Sequence, residues 1–150
     1  MINKSNVLIT VYITNYNYEN YLEQSINSVL NQSTKNFELI IIDDGSTDNS
    51  IEIIKKFKNN SKIKFISQKN KGLNVSNNIA LKLSKGKYII RLDADDWLET
   101  RALELLSNHL ETNPDIGLVF ADYYTVNNSG QIIEEIRRHN FDDVTLLDKP

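Results

Sequence analysis

Three stretches place ligand-capable polar side chains directly after aliphatic runs: "TNYN" at Thr14 to Asn17, "DDGST" at Asp43 to Thr47, and "DADD" at Asp93 to Asp96. The last is the most demanding. In "IIRLDADDW", Ile89, Ile90 and Leu92 lead into three carboxylates, which repel one another and are costly to desolvate unpaired. Residues i and i+2 of an extended segment project to one side, so Asp93 and Asp95 aim at one point while Ala94 stays out of the way. Two hard oxygen ligands with room for others suit Mg²⁺ or Mn²⁺, completed by substrate phosphates and water. The plainer alternative is a solvated acidic loop, with Asp96 or Glu99 favoured by the positive end of the next helix. Residue types alone do not separate the two.

The other stretches carry similar choices. In "DDGST", Gly45 supplies a turn and Ser46 or Thr47 an N-cap. A cap needs one acceptor, yet Asp43 and Asp44 precede it, and a carboxylate there can accept from a base N–H or a ribose hydroxyl. Tyr16 is either a core aromatic or a ring that stacks on a flat ligand, with Thr14 and Asn15 offering hydrogen bonds. Trp97, the one tryptophan, either shapes a pocket or packs at a helix start.

These residues need elements to hold them. "VLITVYIT" (7–14) reads as a strand, and Leu22, Ile26, Val29 and Leu30 form an amphipathic helical face ending near Gln32. "FELIIID" (37–43) has the nearly continuous apolarity of a strand covered on both faces. A helix with Ile51, Ile54 and Phe57 on one side follows, then strand "IKFIS" (63–67). Val75, Ile79 and Leu83 step along a third helix ended by Gly86 at C′. Strand "YIIRL" (88–92) leads to the acidic turn, where Asp96 and Trp97 begin a fourth helix with Leu103, Leu106 and Leu110 inward, stopped before Asn113-Pro114. "GLVFADYYTV" (117–126) is a fifth strand, and "NNSG" before "QIIEEI" predicts a hairpin. Strict β-α alternation implies a mainly parallel sheet with helices on both faces and right-handed crossovers. In such sheets ligands bind outside the carboxyl ends of the strands, where strand order reverses. All three polar stretches fall at carboxyl ends, and that convergence is more informative than any one motif.

Composition and missing parts narrow the chemistry. The 150 residues are 40% hydrophobic and 25% charged with a net charge of -3, an ordinary globular balance without a basic field for nucleic acid or anionic lipid. There is no cysteine, hence no disulfide framework or thiolate zinc site. No signal peptide and no apolar run of membrane-spanning length is present, so N-x-S/T triplets such as Asn31-Gln32-Ser33 carry no weight. His109 and His139 are the only histidines; without a G-x-S-x-G elbow, a G-x-G-x-x-G or a P-loop, triad, dinucleotide-fingerprint and P-loop chemistries lack support.

From residue 7 to about 125, the ordered set "VYITNYNYENYLEQSINSVLNQSTKNFELIIIDDGSTDNS" and "NKGLNVSNNIALKLSKGKYIIRLDADDWLE" resembles family-2 glycosyltransferases. The resemblance implies the GT-A fold, a Rossmann-like α/β/α sandwich with a mainly parallel central sheet, over residues 1–136, with 137–150 as a tail. It implies transfer of a sugar from a nucleoside diphosphate donor, UDP above all, to a saccharide, lipid-linked or protein acceptor, with inversion and a Mn²⁺ or Mg²⁺ cofactor. By position, Thr14, Asn15 and Tyr16 would line the nucleoside pocket, and Asp44, helped by Asp43, would contact base or ribose. Asp93 and Asp95 would be the D-x-D pair, Asp95 the direct metal ligand and Asp93 also near the nucleotide. Thr14 stands where the family usually has proline. Asn77 stands at the nucleotide-binding position where it usually has arginine. The family's general base would fall beyond residue 150; Asp142 and Asp143 come too early to supply it. A cytoplasmic location, at the inner membrane face for a lipid-linked acceptor, follows from the donor class. Two other readings stay open at this point: a non-catalytic nucleotide-sugar or partner-binding module lacking the base, and a phosphoacceptor receiver domain. The receiver pattern wants its carboxylates after the first and third strands, where this chain has "TNYN" and "SQKN".

Overall fold

The computed structural model describes residues 7–137, which fall into two compact units divided between Asn108 and His109. In the first, β1 (Ile9–Asn15), β2 (Phe37–Asp43), β3 (Ile63–Ser67) and β4 (Tyr88–Asp93) form one all-parallel sheet in the order β3-β2-β1-β4. Helices α1 (Glu19–Leu30), α2 (Ser50–Lys56) and α3 (Leu73–Leu83) connect them, and α4 (Ala102–Thr112) follows β4.

Pleat alternation sorts the core into two layers. Ile9, Val11 and Ile13 of β1, with Leu39 and Ile41 of β2, pack with Leu22, Ile26 and Val29 of α1, Ile54 of α2 and Leu103 of α4. On the other face Tyr12, Ile40 and Ile42 meet Ala80, flanked by Ile79 and Leu83 of α3. Strand β2, apolar at consecutive positions, is buried on both faces as its pattern predicts.

The register levels the carboxyl ends. Thr14 pairs with Ile42 on one side and with Asp93 on the other, and Asn15 pairs with Asp43. The chain runs from β1 outward to β3 and then returns to place β4 on the opposite side of β1. The order therefore reverses between β1 and β4, a switch point that opens a crevice at their ends.

Several local expectations are corrected. Helix α2 begins at Ser50 with Asn49 as N-cap, so neither Ser46 nor Thr47 caps it. The N-terminal donors are met by carboxylates exchanged between helices: Asp48 accepts from Ser50 N (3.0 Å) and Glu19 N (2.9 Å), and Glu19 accepts from Asn49 N (2.6 Å). Gly86 is not a left-handed C′ residue. Helix α3 ends at Ser84 with extended backbone, and a Cβ on Gly86 would lie 2.4 Å from Thr10 N, so close strand approach explains this glycine. Val75 is exposed, and Ser76 replaces it on the inward face of α3. Asp96 and Trp97 do not begin a helix; α4 starts at Ala102. The intervening segment and the start of α4 are instead stitched to α1 and the turn after it: Leu98 N donates to Ser28 Oγ (3.1 Å), Gln32 Nε2 to Glu99 O (2.7 Å) and Leu103 N to Gln32 Oε1 (2.9 Å).

In the second unit, β5 (Tyr123–Val126) and β6 (Ile132–Ile136) form an antiparallel hairpin. Its "NNSG" turn is held by Asn127 Oδ1, which accepts from Ser129 N (3.0 Å) and Gln131 N (3.0 Å). Residues 117–122 lie outside any strand: their apolar alternation has no described strand to pair with, so β5 is shorter than its sequence pattern. The tail expectations, including Asp142 and Asp143, lie outside the described residues.

Candidate functional site

A pocket of about 410 Å³ sits at the β1/β4 switch point. Strand β1 and its following turn contribute Thr14, Asn15, Tyr16 and Tyr18. The β2 end contributes Asp44, the segment before and into α3 contributes Asn70, Gly72, Leu73 and Ser76, and the β4 end contributes Arg91, Asp93, Ala94 and Asp95. Of the positions singled out in the sequence, Thr14, Asn15, Tyr16, Asp44, Asp93 and Asp95 share this wall. Asp43 and Asn77 are not part of it.

Asp43 stands directly behind. It is fully buried, and its carboxylate accepts from Asn15 Nδ2 (2.9 Å) and Ser46 N (3.1 Å). Asn15 Nδ2 donates also to Ser46 Oγ (3.0 Å), which accepts from Asn17 N (3.0 Å) as well. Asn17, with φ of 62°, turns its Oδ1 onto Thr47 N (2.7 Å). The β1 and β2 loops are thereby tied by their own polar side chains. Asn15 Oδ1 is a buried acceptor without a partner among the described residues.

Asp44 is 5% exposed, and three donors converge on it: Gln68 Nε2 (2.7 Å) and Lys71 N (2.9 Å) on Oδ1, and Gly72 N (2.8 Å) on Oδ2. It clamps the segment leading into α3 against the end of β2. Gly45, with φ of +82°, allows this approach, since a Cβ there would lie 2.6 Å from Asn70 N. Oδ2 holds one of these bonds and keeps acceptor capacity for a ligand. Tyr16 is 47% exposed at the wall, open for stacking. Asn77 on α3 is half-buried, and its Oδ1 has no partner among the described residues.

On the β4 side the acid turn is anchored from beneath, where Ser25 Oγ donates to Asp93 O (3.3 Å). Arg91 donates to Asp93 Oδ1 through Nε (2.8 Å) and through Nη2. Both side chains of this pair are partly exposed, at 37% and 44%, so it contributes about 0–1 kcal/mol. Partial burial, then the charges of Asp95 and Asp93, push the Asp96 carboxyl above its ordinary range, with Arg91 opposing. The turn is thus short of positive charge. Among the described residues no three or more His, Cys, Asp or Glu side chains are grouped to hold a metal ion. A closed structural metal site does not fit; a hard cation that takes most of its oxygen shell from phosphates and water fits the Asp93 and Asp95 carboxylates.

Arg91, Asn70, Gly72, Leu73, Ser76 and Tyr18 also line the pocket, beyond the residues that the three polar stretches point to. Arg91 carried a signal, a lone cation two residues before a carboxylate cluster. Tyr18 sits in the turn before α1, Asn70 and Gly72 in the connection before α3, and Leu73 and Ser76 in the first turns of α3, where residue type gives no ligand signal.

An open parallel sheet with its polar groups gathered at a switch point defines an α/β protein whose ligand crevice lies at that rim. The sequence pattern described as "Glycosyl transferase family 2" matches residues 10–147, and the chain belongs to that family. Chondroitin synthase of Escherichia coli is 36% identical over 127 residues, covering 84% of this chain and 18% of that protein. The chain therefore spans less than a fifth of that relative's length. Among solved structures, S. aureus TarS 1–349 in complex with UDP-GlcNAc superposes with a TM-score of 0.68 at 27% identity, covering 72% of this chain and 32% of that one. A mannosyltransferase from Pyrobaculum calidifontis, in complex with GDP-Man and Mn²⁺, matches at TM-score 0.61 and 19% identity over 71% of this chain and 32% of that one; it supports the fold alone. The fold is GT-A, with the mainly parallel central sheet that the alternation of elements predicted. No helix of the described residues is long and apolar enough to cross a membrane.

Proposed function

We propose that this chain is the donor-binding part of a glycosyltransferase that moves a sugar from a UDP-sugar to an acceptor hydroxyl, with inversion and with Mn²⁺ or Mg²⁺ at Asp93 and Asp95. The supporting observation is that one pocket gathers an exposed ring, Tyr16, and a hydrogen-bonding β1 end on one wall, and the two carboxylates of the acid turn on the other. In this reading Tyr16 stacks on the base. Asn15 Oδ1 and Asp44 Oδ2 accept from base or ribose donors, with Asp43 fixing the Asn15 amide. Thr14 completes the nucleotide contacts from the same wall, while Asn77, outside that wall, is given no contact. The bound cation supplies neutralising charge to the diphosphate leaving group.

The wall's carboxylates all have other work: Asp44 clamps a loop, and Asp93 and Asp95 face the diphosphate. We therefore place the general base, which takes the acceptor proton, in an acceptor-binding part outside these 150 residues. The product is a bacterial-type polysaccharide or glycoconjugate, made on the cytoplasmic side and at the inner membrane face if the acceptor is lipid-linked. The lack of a free base among the described lining residues favours, as a second reading, a module that binds the donor without turnover. A C-terminally longer form that turns over where this chain does not supports the transferase; binding without turnover in both supports the module.

Calorimetry with UDP, with and without Mn²⁺, tests the site. Metal-dependent binding that Asp95→Ala abolishes is expected. Absence of metal-dependent binding in the wild type, or unchanged binding in Asp95→Ala, removes the assignment.

A further inference from the structure

Arg91 has no role in the donor reading given so far, yet it is the one cationic side chain among the described residues that line the pocket. Its Nε and Nη2 converge on a single oxygen, Oδ1 of Asp93. A guanidinium has five N–H donors, and the remaining three have no partner among the described residues. Asp93 Oδ2 and the Asp95 carboxylate likewise have no side-chain partner there. The pair is half-solvated, with side-chain exposures of 37% and 44%, so breaking it costs little.

We propose that Arg91 is an exchangeable counter-ion: it neutralises Asp93 in the empty pocket and transfers its guanidinium to the donor's diphosphate when a divalent cation takes Asp93. The inference rests on the donor-site reading and adds to it a second phosphate-binding charge. The electrostatics require one. The wall carries Asp44, Asp93 and Asp95, and a nucleoside diphosphate adds further negative charge. One divalent cation shared between two aspartates and a diphosphate leaves an excess of negative charge. Arg91, two residues before Asp93 on the same side of β4, is the group already in place to offset it, and its planar fork matches phosphate oxygens. Its register partner on β1, Tyr12, is 8% exposed, so the sheet beneath is filled and the guanidinium lies at the solvent-facing rim. A purely structural pair would leave the cation and Arg91 in competition for Asp93 with no gain on the nucleotide side.

The exchange predicts effects of opposite sign on two ligands. In Arg91→Met, Asp93 loses its competitor, so Mn²⁺ alone, counted by electron paramagnetic resonance of the free ion, binds up to about fivefold tighter. UDP at saturating Mn²⁺, followed by calorimetry, binds about tenfold weaker or worse for loss of a charge-assisted hydrogen bond. Arg91→Lys restores part of the UDP affinity. A variant in which both affinities are unchanged, or both fall, overturns the exchange while a metal-dependent wild-type UDP site stands. A wild type that binds neither Mn²⁺ nor UDP overturns the exchange and the donor reading together.

Discussion

Asp44 offers the sharpest test of how the site is built. Position alone assigns it to the ligand, but the structure gives it a second duty. Its carboxylate receives Gln68 Nε2 and the backbone N–H groups of Lys71 and Gly72, at 2.7, 2.9 and 2.8 Å. Asp44→Asn keeps the size, removes the charge and replaces one acceptor with a donor. Hydrogen bonds to a charged group contribute about 1.5–3 kcal/mol each, so three would sum to about 4.5–9 kcal/mol. Lys71 and Gly72 are exposed, however, and water can replace the lost acceptor at their N–H groups. The expected net loss is therefore about 2–4 kcal/mol. For a chain of this size that lowers Tm by roughly 4–16 °C, measurable by calorimetric or circular-dichroism melting. UDP affinity should fall in parallel, because Gly72, Leu73 and Ser76 all line the pocket and lose their anchor. A variant that melts with the wild type yet loses UDP would refute the clamp, leaving Asp44 a ligand contact only.

Four further outcomes follow from the same geometry. Gly45→Ala should lose about 2 kcal/mol or more in denaturant unfolding, because φ is +82° and the new Cβ meets Asn70 N at 2.6 Å; wild-type stability would show that the loops can separate. Gln32→Ala should lose about 2–3 kcal/mol and speed hydrogen exchange at Leu103, whose N–H donates to the fully buried Gln32 amide at 2.9 Å. Ile41→Ala, at a fully buried position in β2, should cost about 2–5 kcal/mol in the same assay. Asp96→Asn should raise Tm at neutral pH by no more than about 2–4 °C. The Asp96 proton affinity is raised in the fold, so its charged form opposes folding once pH exceeds the ordinary carboxylate range, and the gain should vanish as pH falls below it; a gain that persists in acid would point to another cause.

The elements that were legible were those written in apolar residues. Strands 37–43 and 63–67 appear at their sequence-read bounds, because a doubly covered or β-branched run has few other places to go. The gathering of "TNYN", "DDGST" and "DADD" at one rim was legible too, since it follows from β-α alternation alone. Capping was not. "GSTDNS" holds five cap-capable residues in a row, and only the Glu19–Asp48 exchange, a contact between residues 29 positions apart, selects Asn49. The start of α4 was misplaced for a related reason: half-buried Ser28 of α1 and fully buried Gln32 just past its end take up donors and acceptors of the segment after Asp96, and such pairings leave no periodic trace. Asn70, Gly72 and Ser76 reach the pocket through the Asp44 clamp, which spacing along the chain does not display.

The close passage of Gly45 against Asn70 also bears on how this site can diversify. With backbone meeting backbone at that point, and with Asp44 holding the N–H groups of Lys71 and Gly72 in register, an added or deleted residue in either loop would break one of these contacts. Length variation on the β2–β3 side would cost the pocket its wall. The segment between Asp96 and Ala102 is held by a single backbone bond, Ser33 N to Thr100 O (2.8 Å), and by the side chains of Ser28 and Gln32, so insertions beside that bond are absorbed more readily by re-pairing. Changes in length would enter this scaffold from the β4 side, while the β2–β3 side is bound to its present length.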